Sequence, residues 1–235
     1  MHYRAVMLVL ASNNNQTYKN CRKVWKKYMN LDPTIKVYFV YGKLSEPLED
    51  KDENDFIYPN LHGGYPITIA RTVKAMKAIH SKVTYDFFIR TNMSTFWDFE
   101  KLHLHLNELP TDFCYSGDGP LPGYNKKGFY VSGTDAIVTP KMIEYMIHNQ
   151  DLIDFEMVED AAMGKFFHGV LGVPILPTRI YFFEDVKSIH DPIKRRIDMA
   201  KRENKHHYRV KTLTENREMI DLYIYTVLLK KIYNI

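Results

Sequence analysis

Apolar positions along the chain come in short blocks cut by polar turns, and the blocks alternate between a strand period and a helical one. Ala5 to Leu10 is a near-continuous apolar run, which predicts a strand buried on both faces. It breaks into the polar turn Ala11 to Asn15. Thr17 to Tyr28 follows, with Val24, Trp25 and Tyr28 on one face and lysines on the other, the pattern of an amphipathic helix. After Asp32-Pro33, Ile35 to Tyr41 reads as a second buried strand, stopped by Gly42. Strand, helix, strand predicts a parallel pair joined by a right-handed crossover.

Glu46 to Asp55 is acidic and loop-like, and charge runs of this kind are ordinarily solvated. Phe56 to Tyr58 reads as a short strand and Gly63 to Pro66 as a turn. In Thr68 to His80, Ile69, Val73, Met76 and Ile79 recur at helical spacing, with Arg71 off that face. Tyr85, Phe87, Phe88 and Ile89 form the next strand, which turns polar within a few residues. Arg90, Asn92 and Ser94 are thereby delivered to the carboxyl end of a sheet, the edge where ligands bind in open α/β sheets. Asn92 and Ser94 also suit a plain turn or helix cap.

Asp98 caps a predicted helix through Leu109 whose inner face is Leu102, Leu106 and Leu109. His103 and His105 are two apart, cannot share a helix face, and are rejected as a metal pair. Phe113 to Ser116 is another strand, and Gly117 to Gly128 a Gly/Pro-rich loop long enough to carry function. Short strands, Phe129 to Ser132 and Ala136 to Thr139, flank Gly133, and Pro140 opens a helix to His148. Glu159 and Asp160 place two carboxylates at a helix start, where the dipole favours the ionised form. Phe166, Phe167, Val170 and Leu171 are expected to pack inward. Ile180 to Phe183 reads as the final strand, with Ser188 to Pro192 closing the core. A terminal helix near Glu215 to Tyr233 is expected to dock through Met219, Leu222, Tyr223, Val227 and Ile232.

With 235 residues, 45% of them hydrophobic, the chain suits one sizeable domain. A net charge of +4 suits anionic ligands without being a nucleic-acid footprint. Eight Lys/Arg lie between Lys194 and Lys211, but Asp198 and Glu203 interrupt them and Tyr208 is the lone aromatic, which argues against a polyanion-binding tail. Cys21 and Cys114 match no metal spacing, so a reducing, cytoplasmic setting is expected. No signal peptide is read in Met1 to Ala11, and no run of about 20 apolar residues is present to span a bilayer.

Taken together, the segments from Ala5 to about Pro192 resemble the family 31 β1,3-glycosyltransferases, the galactosyl-, N-acetylglucosaminyl- and Fringe-like enzymes. Arg22-Lys23-Val24-Trp25 is similar to that family's Arg-x-Thr-Trp helix, and Val37 to Gly42 to its Phe-x-x-Gly strand end. Asp55 to Thr72 falls in register on its Asp-Ile … Tyr-x-Asn-Leu-Thr-Leu-Lys-Thr segment; Asp55, Tyr65 and Thr72 match, and Arg71 stands where the pattern has Lys. Tyr130 to Gly133 resembles Tyr-x-x-Gly, and Glu159 to Gly164 resembles Glu-Asp-Val-x-x-Gly. The departure is Arg90-Thr91-Asn92-Met93-Ser94, where the family has Lys-Thr-Asp-Asp-Asp. In the family the Asp-x-Asp carboxylates hold a divalent cation against the donor diphosphate. Hard cations want anionic oxygens, and Asn92 and Ser94 offer neutral ones. Dependence on Mn or Mg is therefore expected to be weak or absent, with Arg71, Arg90 and His190 as the cations available to the diphosphate.

The resemblance implies an α/β fold of GT-A (Rossmann-like) type, a mostly parallel central sheet flanked by helices in a single domain. Residues 1–192 would form the transferase domain and 193–235 a basic helical extension docked on it. It implies inverting transfer of a sugar from a nucleotide-sugar, UDP-linked, to a saccharide hydroxyl. Asp160 is expected to act as general base with Glu159 beside it. Asp55, Arg71, Arg90, Asn92, Ser94, Ser132, Gly133 and His190 are expected to line the donor site. The expected partners are a nucleotide-sugar donor and a saccharide acceptor, with no nucleic acid, in a soluble protein of a bacterium or a large virus. The alternative is a catalytically inactive sugar-nucleotide or glycan-binding module on the same scaffold. Neutral Asn92 and Ser94 argue for it, and the retained Glu159-Asp160 pair against it.

Overall fold

The computed structural model describes residues 1–61, 68–123, 128–178 and 180–235. In chain order the elements are β1 (His2–Ala11), α1 (Gln16–Tyr28), β2 (Ile35–Tyr41), β3 (Asp55–Ile57), α2 (Ile69–His80), β4 (Thr84–Asn92) and β5 (Thr95–Trp97). Then come α3 (Phe99–Glu108), β6 (Tyr115–Gly117), β7 (Leu121–Pro122), β8 (Phe129–Tyr130), β9 (Asp135–Val138), α4 (Pro140–His148) and α5 (Glu159–Gly164). The chain finishes with β10 (Ile175–Pro177), β11 (Ile180–Phe182), α6 (Ile193–Arg202), β12 (His207–Arg209) and α7 (Arg217–Leu228). The fold is mixed α/β, as the alternation of strand and helix periods predicts. Among the described residues no helix is long and apolar enough to cross a membrane. Its contacts group into two compact units.

The first unit comprises Met1–Ala11, Pro33–Asn92 and Leu109–Thr178. It holds a seven-stranded sheet in the order β10-β6-β9-β4-β1-β2-β3. The sheet is mostly parallel, with β9 running against both its neighbours. Strand β1 sits near the middle, and its apolar stretch Ala5 to Val9 is completely buried, as a two-sided strand must be. Sequence order reverses between β1 and β4, and such a switch point opens a crevice at the carboxyl ends of the strands. Helices α2 and α4 flank the sheet, pressing Ile69, Val73, Met76 and Ile79, and Met142, Ile143 and Met146, against Val6, Leu8 and Phe88. Phe166 and Phe167 join this core, but Val170 does not: it is 47% exposed. After α5 the backbone widens into a π-helical turn, Lys165–Val170, whose extra residue per turn rotates Val170 away from the apolar face.

The second unit comprises Ser12–Asp32, Met93–Glu108 and Arg179–Ile235. Here β11, β12 and β5 form a three-stranded sheet. Ile180 to Phe183 reads in the sequence as the final strand; Ile180–Phe182 is a strand, but a later one follows, β12, with which it pairs in parallel and which in turn runs against β5. Helix α1 is capped by Asn15, whose side chain accepts the Tyr18 amide at 3.0 Å, and its Trp25 donates through Nε1 to the Met93 carbonyl at 2.9 Å. Asp98 caps α3 as predicted, accepting the Lys101 amide at 3.2 Å. The docking face of α7 matches the predicted one at Val227 and differs at Met219 and Leu222. Ile220, Ile224, Tyr225, Val227 and Leu228 are buried, whereas Met219 is 54% and Leu222 is 42% exposed. Both stripes have helical spacing, and the true one was disguised by Asp221. That buried carboxylate accepts the Thr212 amide (3.0 Å), the Thr212 hydroxyl (2.8 Å) and Arg217 Nε (2.9 Å).

Candidate functional site

At the carboxyl end of β4, Arg90 lies opposite Leu8 of β1 and Ala136 of β9 and is 5% exposed. All three of its guanidinium nitrogens are engaged. Nε donates to Glu159 Oε1 at 2.9 Å, Nη2 donates to Glu159 Oε2, and Nη1 donates to the Gly133 carbonyl. Glu159 opens α5 and is 1% exposed. Thr72 donates to its Oε1 at 2.8 Å and Thr68 to its Oε2 at 3.2 Å. These threonines are four apart, so both hydroxyls face the same way from the start of α2. Each Glu159 oxygen thus receives two donors, the condition under which a buried ion pair is satisfied. Gly133 is required there, because a Cβ on it would stand 2.7 Å from Arg90 Cζ.

Asp160, the next residue, is only half-buried. Its Oδ2 accepts the Gly133 amide at 3.3 Å and its Oδ1 the Ala161 amide at 3.0 Å. Burial pushes this carboxyl above the ordinary aspartate range, against the pull of Arg90, and Glu159 adds to the rise. Desolvation therefore outweighs the dipole of a helix only six residues long. The guanidinium of Arg71 lies against Gly42, just beyond β2, where any side chain would collide with Nη1. Its Nε is buried and has no hydrogen-bond partner among the described residues. Burial lowers the proton affinity of Arg71, Glu159 raises it, and repulsion from Arg90 lowers it further. Arg71 and Asp160 thus share the same two electrostatic neighbours.

A second knot braces the loop carrying Gly133. Asp135, fully buried, accepts the Asp118 amide and the Thr134 hydroxyl, both at 3.0 Å, and the Thr178 hydroxyl. Ser132 donates its amide to the Asp118 carbonyl at 2.8 Å, and its Oγ lies 3.1 Å from Thr134 Oγ1. The remaining expected residues make other contacts. Asp55 lies in β3, pairs with Phe39 and accepts the Asp52 amide at 3.0 Å, a turn-forming contact. Asn92 is half-buried opposite Leu10 of β1. Ser94 belongs to the second unit, buried, with its carbonyl accepting the Val210 amide at 2.8 Å. His190 is exposed in that unit, its amide donating to Ser188 Oγ at 3.1 Å. Tyr65, the Gly63 to Pro66 turn and residues 124–127 of the Gly/Pro-rich loop lie outside the described residues.

The divalent cation that the resemblance implies does not fit the donor set. A half-buried carboxamide at Asn92 and a buried hydroxyl at Ser94 supply no anionic oxygen for a hard ion. Sequence reasoning missed Thr68, Asp135 and the part played by Gly42. The four-residue spacing of Thr68 and Thr72 was the one available signal, while Asp135 and Gly42 owe their roles to neighbours remote in sequence.

Fold and cluster together define a mixed α/β chain with charged chemistry at the carboxyl edge of a mostly parallel sheet. The same fold occurs in a solved structure, a glycosyltransferase involved in the glycosylation of the major capsid of PBCV-1. The two superpose with a TM-score of 0.53 over 94% of this chain and 99% of that one, at 9% sequence identity. No protein-family model matches the chain, and no curated protein sequence does.

Proposed function

We propose that the chain is a glycosyltransferase that moves a sugar from a nucleotide-sugar, UDP-linked, to a saccharide hydroxyl with inversion. The observation that carries this reading is Arg71: a guanidinium whose buried Nε has no partner among the described residues, set over the end of β2 and sharing its electrostatic neighbours with a half-buried Asp160. An anion bonded there would offset the unfavourable burial of the Arg71 charge, and the planar fork suits phosphate oxygens. In the reaction, Asp160 accepts the proton of the acceptor hydroxyl as its oxygen attacks the anomeric carbon from the face opposite the diphosphate. The bond from that carbon to the diphosphate breaks, and the leaving charge develops towards Arg71. A carboxylate whose proton affinity is raised is the stronger base at neutral pH. Arg90 and Glu159, which satisfy each other, position Asp160 through Gly133, and the phosphate role passes from Arg90 to Arg71. The shared fold with a capsid-glycosylating transferase supports this reading.

A second reading, sugar-nucleotide binding without turnover, is favoured by the neutral oxygens of Asn92 and Ser94. Calorimetric titration with UDP tests the anion anchor common to both. Arg71→Ala should weaken binding by about 1.5–3 kcal/mol, the contribution of a charge-assisted hydrogen bond. An unchanged dissociation constant would remove Arg71 from the site.

A further inference from the structure

A cavity of about 640 Å3 opens along α2, within the size range of small-molecule sites. It runs along α2 from Ala70, in the first turn, to Ser81, beyond the last, on a different helix face from Thr68 and Thr72, which serve Glu159. Its wall is apolar: Leu61, Ala70, Val73, Ala78 and Phe155. Two cations line it as well. Lys74 holds its ammonium 4.9 Å over the ring of Tyr58, itself part of the lining, and Lys77 stands one turn further along. Among the described residues neither lysine forms an ion pair, and no carboxylate lines the cavity. The chemistry is that of an apolar trough with two uncompensated positive charges. A saccharide fits it less well, because sugar hydroxyls need acceptors and the side-chain ones the lining offers are neutral: the Gln150 amide and the Tyr58 and Ser81 hydroxyls.

We propose that this cavity binds a monomeric amphiphilic anion, with an aliphatic chain on the apolar wall and a phosphate or carboxylate head between Lys74 and Lys77. Burial of the chain supplies affinity, and the lysines choose an anionic head over a neutral one. The ligand is distinct from both substrates of the proposed transfer, so the inference stands or falls separately from that reading.

The test is calorimetry on the full chain with octyl phosphate, kept below its micelle concentration, against octyl glucoside as the neutral chain of equal length. Octyl phosphate should bind at one site per chain, and octyl glucoside at least about tenfold more weakly. Lys74→Gln, a surface change, should weaken octyl phosphate about tenfold, on the scale of one charge-assisted hydrogen bond. Ala78→Trp, which fills the trough, should abolish binding at an unchanged unfolding temperature; should it unfold the protein, Lys74→Gln decides alone. Equal affinity for the two amphiphiles, an unaltered affinity in Lys74→Gln, displacement by inorganic phosphate alone at comparable concentration, or binding confined to phosphatidylglycerol vesicles would each overturn the proposal.

Discussion

Glu159→Gln is the substitution through which the buried network can be weighed. Glu159 is 1% exposed and accepts four hydrogen bonds, two from Arg90 and one each from Thr68 and Thr72. Glutamine keeps one acceptor oxygen but presents an N–H group where the other stood, facing donors. It also leaves the Arg90 charge, 5% exposed, without a counter-charge, held by the Gly133 carbonyl and the one amide oxygen that remains. Removing one partner from a buried ion pair costs about 3–5 kcal/mol. That is a large share of the roughly 5–15 kcal/mol that holds a domain folded. Urea unfolding followed by far-ultraviolet circular dichroism should show the midpoint fall at an unchanged slope. The double variant Arg90→Met with Glu159→Met should recover most of the loss, because it removes both charges at once and fills similar volume. A loss below about 1 kcal/mol in Glu159→Gln, the size expected of an exposed pair, would refute the buried network. So would a double variant no more stable than the single one.

Two further outcomes follow from the same cluster. Because burial raises the proton affinity of folded Asp160, its contribution to stability is present at low pH and lost as pH rises through the raised value. Asp160→Asn, always neutral, should therefore melt above the parent at neutral pH, with the advantage shrinking as pH falls towards the ordinary aspartate range; a difference constant with pH contradicts the desolvated carboxyl. Donor binding should survive EDTA with at most a modest loss, since Asn92 and Ser94 provide no anionic oxygen; complete loss of UDP affinity restored by manganese would place an ion where this reading has none.

The elements legible in the sequence are those whose pattern is long enough to be periodic. Strand β2 runs from Ile35 to Tyr41 as its apolar run predicts, and α2 buries Ile69, Val73, Met76 and Ile79. Strands β5, β10 and β12 are three residues each, too short to show alternation, and exist because a partner strand lies alongside. The face of α7 was misread because a buried acid counts as polar in any pattern, although Arg217 and Thr212 satisfy it. At the site, the adjacent acids Glu159 and Asp160 were visible, but their division of labour was not. It is set by Arg90, 69 residues away, and by Thr72, 87 away, which only the order of strands in the sheet brings to one edge.

In the proposed reaction Asp160 takes the proton from the acceptor hydroxyl. Turnover with the UDP-sugar found active in a donor panel should be compared between the parent and Asp160→Asn, with UDP affinity measured on the same preparations. In Asp160→Asn kcat should fall by about 10²-fold or more, the scale of removing a general base, while the UDP dissociation constant holds. Near-parental kcat in Asp160→Asn would contradict it and turn attention to another base.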